Sequence, residues 1–398
     1  MSTIVENGLD DYVYMKVFFV DPQSYLNLAV YDKSLLSELG ENIDVYFLCS
    51  SQYDGGEING VVIKPLFFYN KKKGIKKILS YVFSLLKLVR LVVVERPDVI
   101  HIQWLKIEHL DYWLYRFIRR FFKTKLVFTA HNILPHNSGR RFFNIYKKFY
   151  SLVDAIIVHD KTSKDDLSSE IHVDEGKIYV IRHGILSYKT DEELIQKEKA
   201  DLTKRYHLDD SKLLLSVVGF QNKYKGTDVL LKVWSSNEML KNNRDCCLLI
   251  AGRCKELDFL NDISDCQNIF VEDAFISTER LVAILQMTDV LLLPYIKISQ
   301  SGVLLTAIEY GTPFLVTNVG GLSEPLQYGN VGWEIPQCDE ELLCNALIRL
   351  VSNHKDVKEK RSDEQGWNNV REAYSWVQIG EKTTELYKVL TSKSIKLL

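Results

Sequence analysis

The sequence predicts an α/β protein with two doubly wound parallel-sheet domains, and three observations carry that prediction. Short apolar runs recur along the chain, separated by segments long enough for helices, as expected of strands buried on both faces of a parallel sheet. At 398 residues the chain exceeds what one ordinary core supports. The strand signal stops in a polar stretch at 187–212 and then restarts. These features place a first domain over 1–186, a second over 187–375 and a helical tail over 376–398.

In the first domain the candidate strands are KVFFV (16–20), IDVYFLC (43–49), GVVIKPL (60–66), DVIHIQW (98–104), KLVFTAH (125–131), AIIVHD (155–160) and KIYVIRHG (177–184). In the second they are KLLLSVVG (212–219), DCCLLIAG (245–252), NIFVEDAF (268–275), DVLLLPY (289–295) and PFLVTNVG (313–320). The tail, WVQIGEKTTELYKVL (376–390), has its apolar positions at helical spacing. Hydrophobic content of 46% and charged content of 26% are those of a globular protein. Seven scattered cysteines without CxxC spacing fit a reducing cytoplasm rather than a disulfide framework. The start carries no basic n-region ahead of an apolar run, so no signal peptide is expected. The longest apolar stretch, 79–94, contains Lys87 and Arg90 and is too short to span a bilayer.

Charge is unevenly distributed. The net charge is −2, yet residues 61–150 hold nineteen Lys/Arg against four Asp/Glu. The basic runs KKKGIKK (71–77), YRFIRRFFKTK (115–125) and GRRFFNIYKKFY (139–150) are interleaved with or flanked by aromatic and aliphatic residues. That composition favours an anionic membrane surface, with rings at headgroup level and cations on the lipid. Nucleic acid is the competing reading, but no nucleic-acid module is recognisable, and none is expected as a partner. Solvated helix faces are the plain alternative.

Chemistry concentrates at the carboxyl ends of the predicted strands. After VLLLPY, Ser299, Ser301 and Gly302 open a helix (VLLTAIEY) that stops at Gly311. A serine N-cap beside glycine leaves backbone N–H groups at the positive end of the helix dipole, an anion site. Gly219-Phe-Gln-Asn-Lys-Tyr-Lys-Gly226 follows the first strand of the second domain, so Lys223 and Lys225 supply cations beside a helix start. The spacing is not that of a P-loop. In the first domain Thr129-Ala-His131-Asn132 ends a strand and leads to Pro135-His136-Asn137. A histidine there can donate to an oxygen that gains negative charge. His131 and His136 lack a third ligand, so no metal is expected. Arg182-His183-Gly184 and Ala251-Gly252-Arg253 also follow strands and read as the edges of a site or as plain turns.

Taken together, VVGFQNKYKGTDVLL, LLIAG, TDVLLLPY, SQSGVLLTAIEYGTPFLVTNVGGLSEPL and FTAHNILPHN resemble retaining glycosyltransferases of the GT-B fold, family 4 group, especially bacterial enzymes that build polysaccharide repeat units. The resemblance runs from about Lys16 to the last helix. It implies two Rossmann-like domains facing a cleft, with a C-terminal helix crossing back to the N-terminal domain. It implies a UDP- or GDP-linked nucleotide sugar as donor, no cofactor, and sugar transfer with retention to a lipid-linked or saccharide acceptor. Carried over, Lys225 contacts the donor diphosphate and the backbone at Ser301, Gly302 and Val303 cradles it. Gly219, Lys223 and Gly252 line the donor side, and backbone near Phe275 holds the base. His131 lies by the transferred sugar, with Asn132, His136 and His183 toward the acceptor. The implied location is the inner face of the cell membrane, peripherally bound.

The pattern departs from the family at several positions. Phe220 stands where a basic residue is usual, with Lys223 as the substitute. The usual glutamate pair is missing: Ile298 and Thr306 occupy those positions, and Glu309, one turn after Thr306, is the candidate ribose ligand. DPQSYLN (21–27) replaces a glycine-rich loop. A sugar-nucleotide epimerase on the same fold and a non-catalytic scaffold are the alternatives.

Overall fold

The structure, a computed structural model, describes residues 15–40, 42–69, 73–135, 141–208, 212–254, 263 and 265–395. The chain divides into two units. The first comprises residues 1–158, 167–181 and 379–398; the second comprises 159–166 and 182–378.

The first unit holds a sheet of seven parallel strands: β1 (Met15–Asp21), β2 (Ile43–Ser50), β3 (Val61–Phe67), β4 (Val99–Ile102), β5 (Lys125–Thr129), β6 (Ala155–Val158) and β7 (Ile178–Val180). Their order is β3-β2-β1-β4-β5-β6-β7, and every pairing is parallel. The reversal between β1 and β4 is the topological switch point, where open α/β sheets bind ligands. Helices α1 (Asn27–Ser37), α2 (Gly74–Glu95), α3 (Glu108–Phe121) and α4 (Phe143–Leu152) connect them, and α5 (Lys161–Ser169) follows β6.

Period-two alternation assigns the two faces of this sheet. Phe18, Val20, Ile100, Ile102, Leu126 and Phe128 turn to one side and share a core with α2, α3 and α4. In α2 the buried positions Tyr81, Ser84, Leu85, Leu88 and Val92 recur at helical spacing, and the helix ends at Arg96 in the left-handed region, just before Pro97. On the other face His101 meets Tyr387 of the C-terminal helix.

The second unit holds six parallel strands: β8 (Leu213–Val218), β9 (Cys246–Ala251), β10 (Ile269–Glu272), β11 (Val290–Leu293), β12 (Phe314–Thr317) and β13 (Gly332–Ile335), in the order β10-β9-β8-β11-β12-β13. Its helices are α6 (Glu192–Tyr206), α7 (Thr227–Ser236), α8 (Glu238–Lys241), α9 (Thr278–Met287), α10 (Gly302–Glu309), α11 (Glu340–Ser352), α12 (His354–Ser362) and α13 (Glu364–Ala373). The polar stretch after residue 187 forms α6, tied to β10 and α9 by Arg280, which grips Glu272 through Nε and Nη2 and reaches Glu198 and Asp201 through Nη1. β13 is absent from the strands expected from sequence. Its four residues, GWEI, include a glycine and an exposed glutamate at the sheet edge, so no apolar run marks them.

The last helix, α14 (Trp376–Ile395), is counted with the first unit from Ile379 onward. Gly380 lies so close to the Glu38 carbonyl that no side chain fits, and the Gly40 amide donates to the Thr384 hydroxyl at 3.2 Å.

Candidate functional site

In the second unit the candidate site forms where β8, β9 and β11 end. β8 closes on Gly219 and β9 on Gly252, at φ 98° and φ 138°, a region that glycine alone enters readily. A Cβ on Gly252 would collide with the Gly219 carbonyl, so this rim requires glycine. Gln221 is fully buried: its amide nitrogen donates to the Gly219 carbonyl at 2.6 Å and its amide oxygen accepts from the Thr227 hydroxyl at 2.7 Å. That brace fixes the turn Lys223–Lys225, which leads through Gly226 into α7.

The turn separates its two lysines. Lys223 projects into solvent, whereas Lys225 is 5% exposed. The Lys225 ammonium donates to the Val218 carbonyl at 3.2 Å and stands 5.4 Å from the centre of the Tyr295 ring. Among the described residues no carboxylate forms an ion pair with it. Burial therefore disfavours its charged form and lowers its pKa to about 8.

α10 approaches the same point. Ser301 caps it, accepting from the Leu304 amide at 3.4 Å, and the Gly302 and Val303 amides precede the first intrahelical bond. The Lys225 ammonium and a Val303 methyl lie 3.0 Å and 3.7 Å from where a Gly219 side chain would begin. A buried cation, two glycine backbones and a helix N-terminus thus meet within van der Waals reach, an arrangement suited to an anion. The second glycine loop closes behind it. Gly320, at φ 56°, presses on the Ile298 carbonyl, and the Gly321 amide donates to the Ser299 carbonyl at 2.9 Å.

The other residues expected on the donor side, and His183 expected toward the acceptor, lie as follows. Phe275 is 67% exposed in the loop after β10. Thr306 is fully buried, and its hydroxyl donates to the Gly302 carbonyl at 2.8 Å. Glu309 lies half-buried at the end of α10, where its backbone carbonyl accepts from Arg371 at 3.4 Å. His183 donates from Nδ1 to the Gly184 carbonyl at 2.8 Å, and burial with neighbouring His159 pushes its pKa down to about 3.

In the first unit a second polar centre surrounds His131 at the end of β5. Its ring stacks on Trp104 (4.8 Å between centres, 8° between planes) and meets the edge of Tyr31 at 4.8 Å. Because Gln103 offers its amide oxygen at 3.0 Å, Nε2 of His131 must be the donor. The Gln103 amide nitrogen in turn donates to His101 Nε2 at 3.0 Å, which leaves His101 Nδ1 to donate to Tyr387 at 2.6 Å. Gln103 and Trp104 close the run DVIHIQW, and a polar residue at a strand's carboxyl end is the only sequence signal for them. Asn132 is half-buried beside His131, and His136 lies outside the described residues.

Beneath this centre, Asp21 and Asp32 are both buried. Asp21 Oδ2 and both Asp32 oxygens accept no hydrogen bond among the described residues. Burial pushes Asp21 up to about 6, and burial together with the neighbouring Asp21 charge pushes Asp32 well above the usual range. The loop between them contains no glycine, yet Leu26 adopts φ 54° and ψ −132°, a left-handed turn that glycine favours. Among the described residues no group of three or more His, Cys, Asp or Glu is arranged to hold a metal ion.

The profile of Glycosyltransferase Family 4 matches residues 29–186, and that of Glycosyl transferases group 1 matches residues 211–353. Together they cover about three quarters of the chain. The chain belongs to the family 4 glycosyltransferases. This family 4 chain is 25% identical over 244 residues to an uncharacterised glycosyltransferase of Methanocaldococcus jannaschii, a match spanning 59% of this chain and 60% of that protein. The chain thus spans under two thirds of that curated relative's length. In fold it is similar to sucrose-phosphate synthase from Thermosynechococcus elongatus (TM-score 0.69, 16% identity, 95% of this chain and 100% of that one). It is also similar to HepE of Anabaena, solved in complex with UDP (TM-score 0.66, 11% identity, 94% and 99%). At those identities the likeness concerns the GT-B fold alone.

Proposed function

We propose that this family 4 protein transfers a sugar, with retention of anomeric configuration, from a UDP- or GDP-linked donor to a lipid-linked or saccharide acceptor. The transfer serves surface polysaccharide assembly at the cytoplasmic face of a membrane. The observation that carries the reading is Lys225: a buried ammonium without a carboxylate among the described residues, set beside the amides of Gly302 and Val303. A diphosphate supplies the missing counter-charge.

During transfer the bond between the sugar's anomeric carbon and the diphosphate oxygen breaks and a bond to an acceptor hydroxyl forms. The acceptor's proton leaves with the diphosphate. Negative charge grows on the departing oxygen, and Lys225 together with the α10 amides stabilises it there. The α10 dipole adds to this because its positive end points the same way. In the first unit, His131, held by Trp104 and Gln103, is our candidate for the residue that lies by the transferred sugar.

The buried, committed Thr306 where a carboxylate is usual favours a second reading, a scaffold without catalysis. A thermal-shift series with nucleoside diphosphates tests the donor claim, since a ligand at 100 times its Kd stabilises by about 2.7 kcal/mol. At least one of UDP and GDP raises the melting temperature, and Lys225→Ala abolishes the rise. If no nucleoside diphosphate shifts the wild type, the reading is wrong. Loss of transfer in Lys225→Ala and His131→Ala excludes the scaffold.

A further inference from the structure

The first unit carries a cavity that plays no part in the sites above. It lies between α3 and α4, has a volume of about 640 Å³, and is lined by Tyr112, Arg116, Lys147, Lys148 and Ser151 among others. It is an open groove rather than an enclosed chamber: Arg116 and Lys148 are exposed and Lys147 is half-buried, so a headgroup would reach all three cations from solvent. Three of these residues are cations, and among the described residues no carboxylate lines the cavity. The neighbouring Arg119 differs: its guanidinium pairs with Asp154 at 2.6 Å and is already neutralised. Arg116 is oriented by its donation to the Tyr112 hydroxyl at 3.0 Å and by the Trp113 ring, 5.5 Å away. Lys147 and Lys148 form no ion pair among the described residues.

The surroundings indicate where an anion for this cavity comes from. Trp113, Phe117 and Phe121 stand at i, i+4 and i+8 of α3, all exposed, with Trp113 at 62% and Phe121 at 65%. On α2, Ile75, Leu79, Phe83 and Leu86 form a second exposed apolar stripe at helical spacing. Both helices, and α4, cover the same face of the seven-stranded sheet, so the two stripes belong to one outer layer. Among the described residues no helix is long and apolar enough to cross a membrane. Exposed apolar area of this extent marks an interaction surface. A second copy of the chain would set this basic layer against itself, whereas an anionic bilayer complements both its rings and its charge.

We propose that the α3–α4 cavity binds the phosphate of a membrane lipid headgroup, with Arg116, Lys147 and Lys148 as its ligands and Trp113, Phe117 and Phe121 seated among the acyl chains. This deepens the membrane part of the proposed function and rests on it. The protein then holds lipid at a saturable site rather than by diffuse attraction alone.

The test uses the full chain with dihexanoyl phosphatidylglycerol below its micelle concentration, measured by calorimetry, and with phosphatidylcholine vesicles doped with phosphatidylglycerol. Wild type binds the short-chain lipid saturably. K147Q/K148Q weakens it by about tenfold or more, as does R116Q, because each removes a charge-assisted hydrogen bond. K87Q/R90Q removes the same charge outside the cavity and leaves short-chain lipid binding within about twofold. If both double variants lose vesicle binding equally and the short-chain lipid does not saturate, attraction is diffuse and the proposal fails. Unchanged binding in K147Q/K148Q also overturns it. Inorganic phosphate binding as tightly as the lipid would reassign the cavity to free phosphate. A UDP and GDP thermal shift on the same samples separates the two readings. Lysine-dependent lipid binding without any nucleotide shift keeps the cavity and removes the glycosyl-transfer reading; the reverse keeps transfer and removes the cavity.

Discussion

Lys225→Met is expected to stabilise the ligand-free protein while removing its affinity for nucleoside diphosphate. Burial holds the Lys225 pKa at about 8 against an ordinary 10.5. That difference corresponds to about 3 kcal/mol of unfavourable free energy for keeping the charge inside. Methionine fills the same space without the charge but gives up the bond to Val218, which offsets about 1 kcal/mol. The net gain is about 2 kcal/mol at pH 7, or roughly 5 °C in the melting temperature of a unit of this size. The sign of the pH dependence follows from the depressed pKa. The penalty is full below pH 8, where lysine is charged in both folded and unfolded chains. It fades between pH 8 and 10.5, where the folded state has already released its proton and the unfolded state has not. Thermal unfolding of both proteins from pH 7 to 9.5, without nucleotide, reads this directly. A variant less stable than wild type at pH 7, or a gap that does not shrink with rising pH, refutes the view of Lys225 as a strained, unpaired cation.

Two further substitutions probe the first unit. Asp32→Asn removes one of two buried, mutually repelling carboxyls and offers Asp21 an amide donor. Because the Asp21 pKa is raised to about 6, the wild-type pair loses stability as pH rises from about 4 through 6, so the variant gains about 2 kcal/mol at pH 7 and nothing below pH 4. Chemical denaturation at both pH values measures it, and a gain that persists in acid would contradict the repulsion. Leu26→Gly relieves the left-handed backbone at φ 54°. Strain of this kind is worth about 1–3 kcal/mol, partly cancelled by glycine's extra unfolded freedom, so a net gain of about 1 kcal/mol is expected in the same assay.

Much of the fold is legible in sequence because a parallel strand buried on both faces must be an unbroken apolar run. LLLSVV and CCLLIA could sit nowhere else. β13 escapes because an edge strand tolerates Gly332 and an exposed Glu334. The anion-binding end of α10 is also legible, since a serine cap followed by glycine has a local physical meaning. The burial of Lys225 is not. Nothing in NKYKG distinguishes the lysine that turns inward from the one in solvent; the Val218 carbonyl and the Tyr295 ring, brought together by β8 and the end of β11, take up the Lys225 ammonium. The turn at Leu26 is hidden for the opposite reason, since its residue argues against the conformation it adopts. His131 was readable as a strand-end histidine, but its Trp104 stack and Gln103 partner require the neighbouring strand.

The membership of α14 in the first unit has a consequence for how the protein is made. Tyr387 hydrogen-bonds to His101, a residue with no solvent exposure. The first unit therefore cannot be completed until the helix from residue 379 onward has been made, after the whole of the second unit. Until then the groove awaiting that helix is open, with the His101 ring unsealed. The second unit, continuous from residue 182 to 378 apart from its short insert at 159–166, has all its strands before that point. Truncation near residue 375 should thus damage the amino-terminal half of the protein rather than the half it adjoins in sequence.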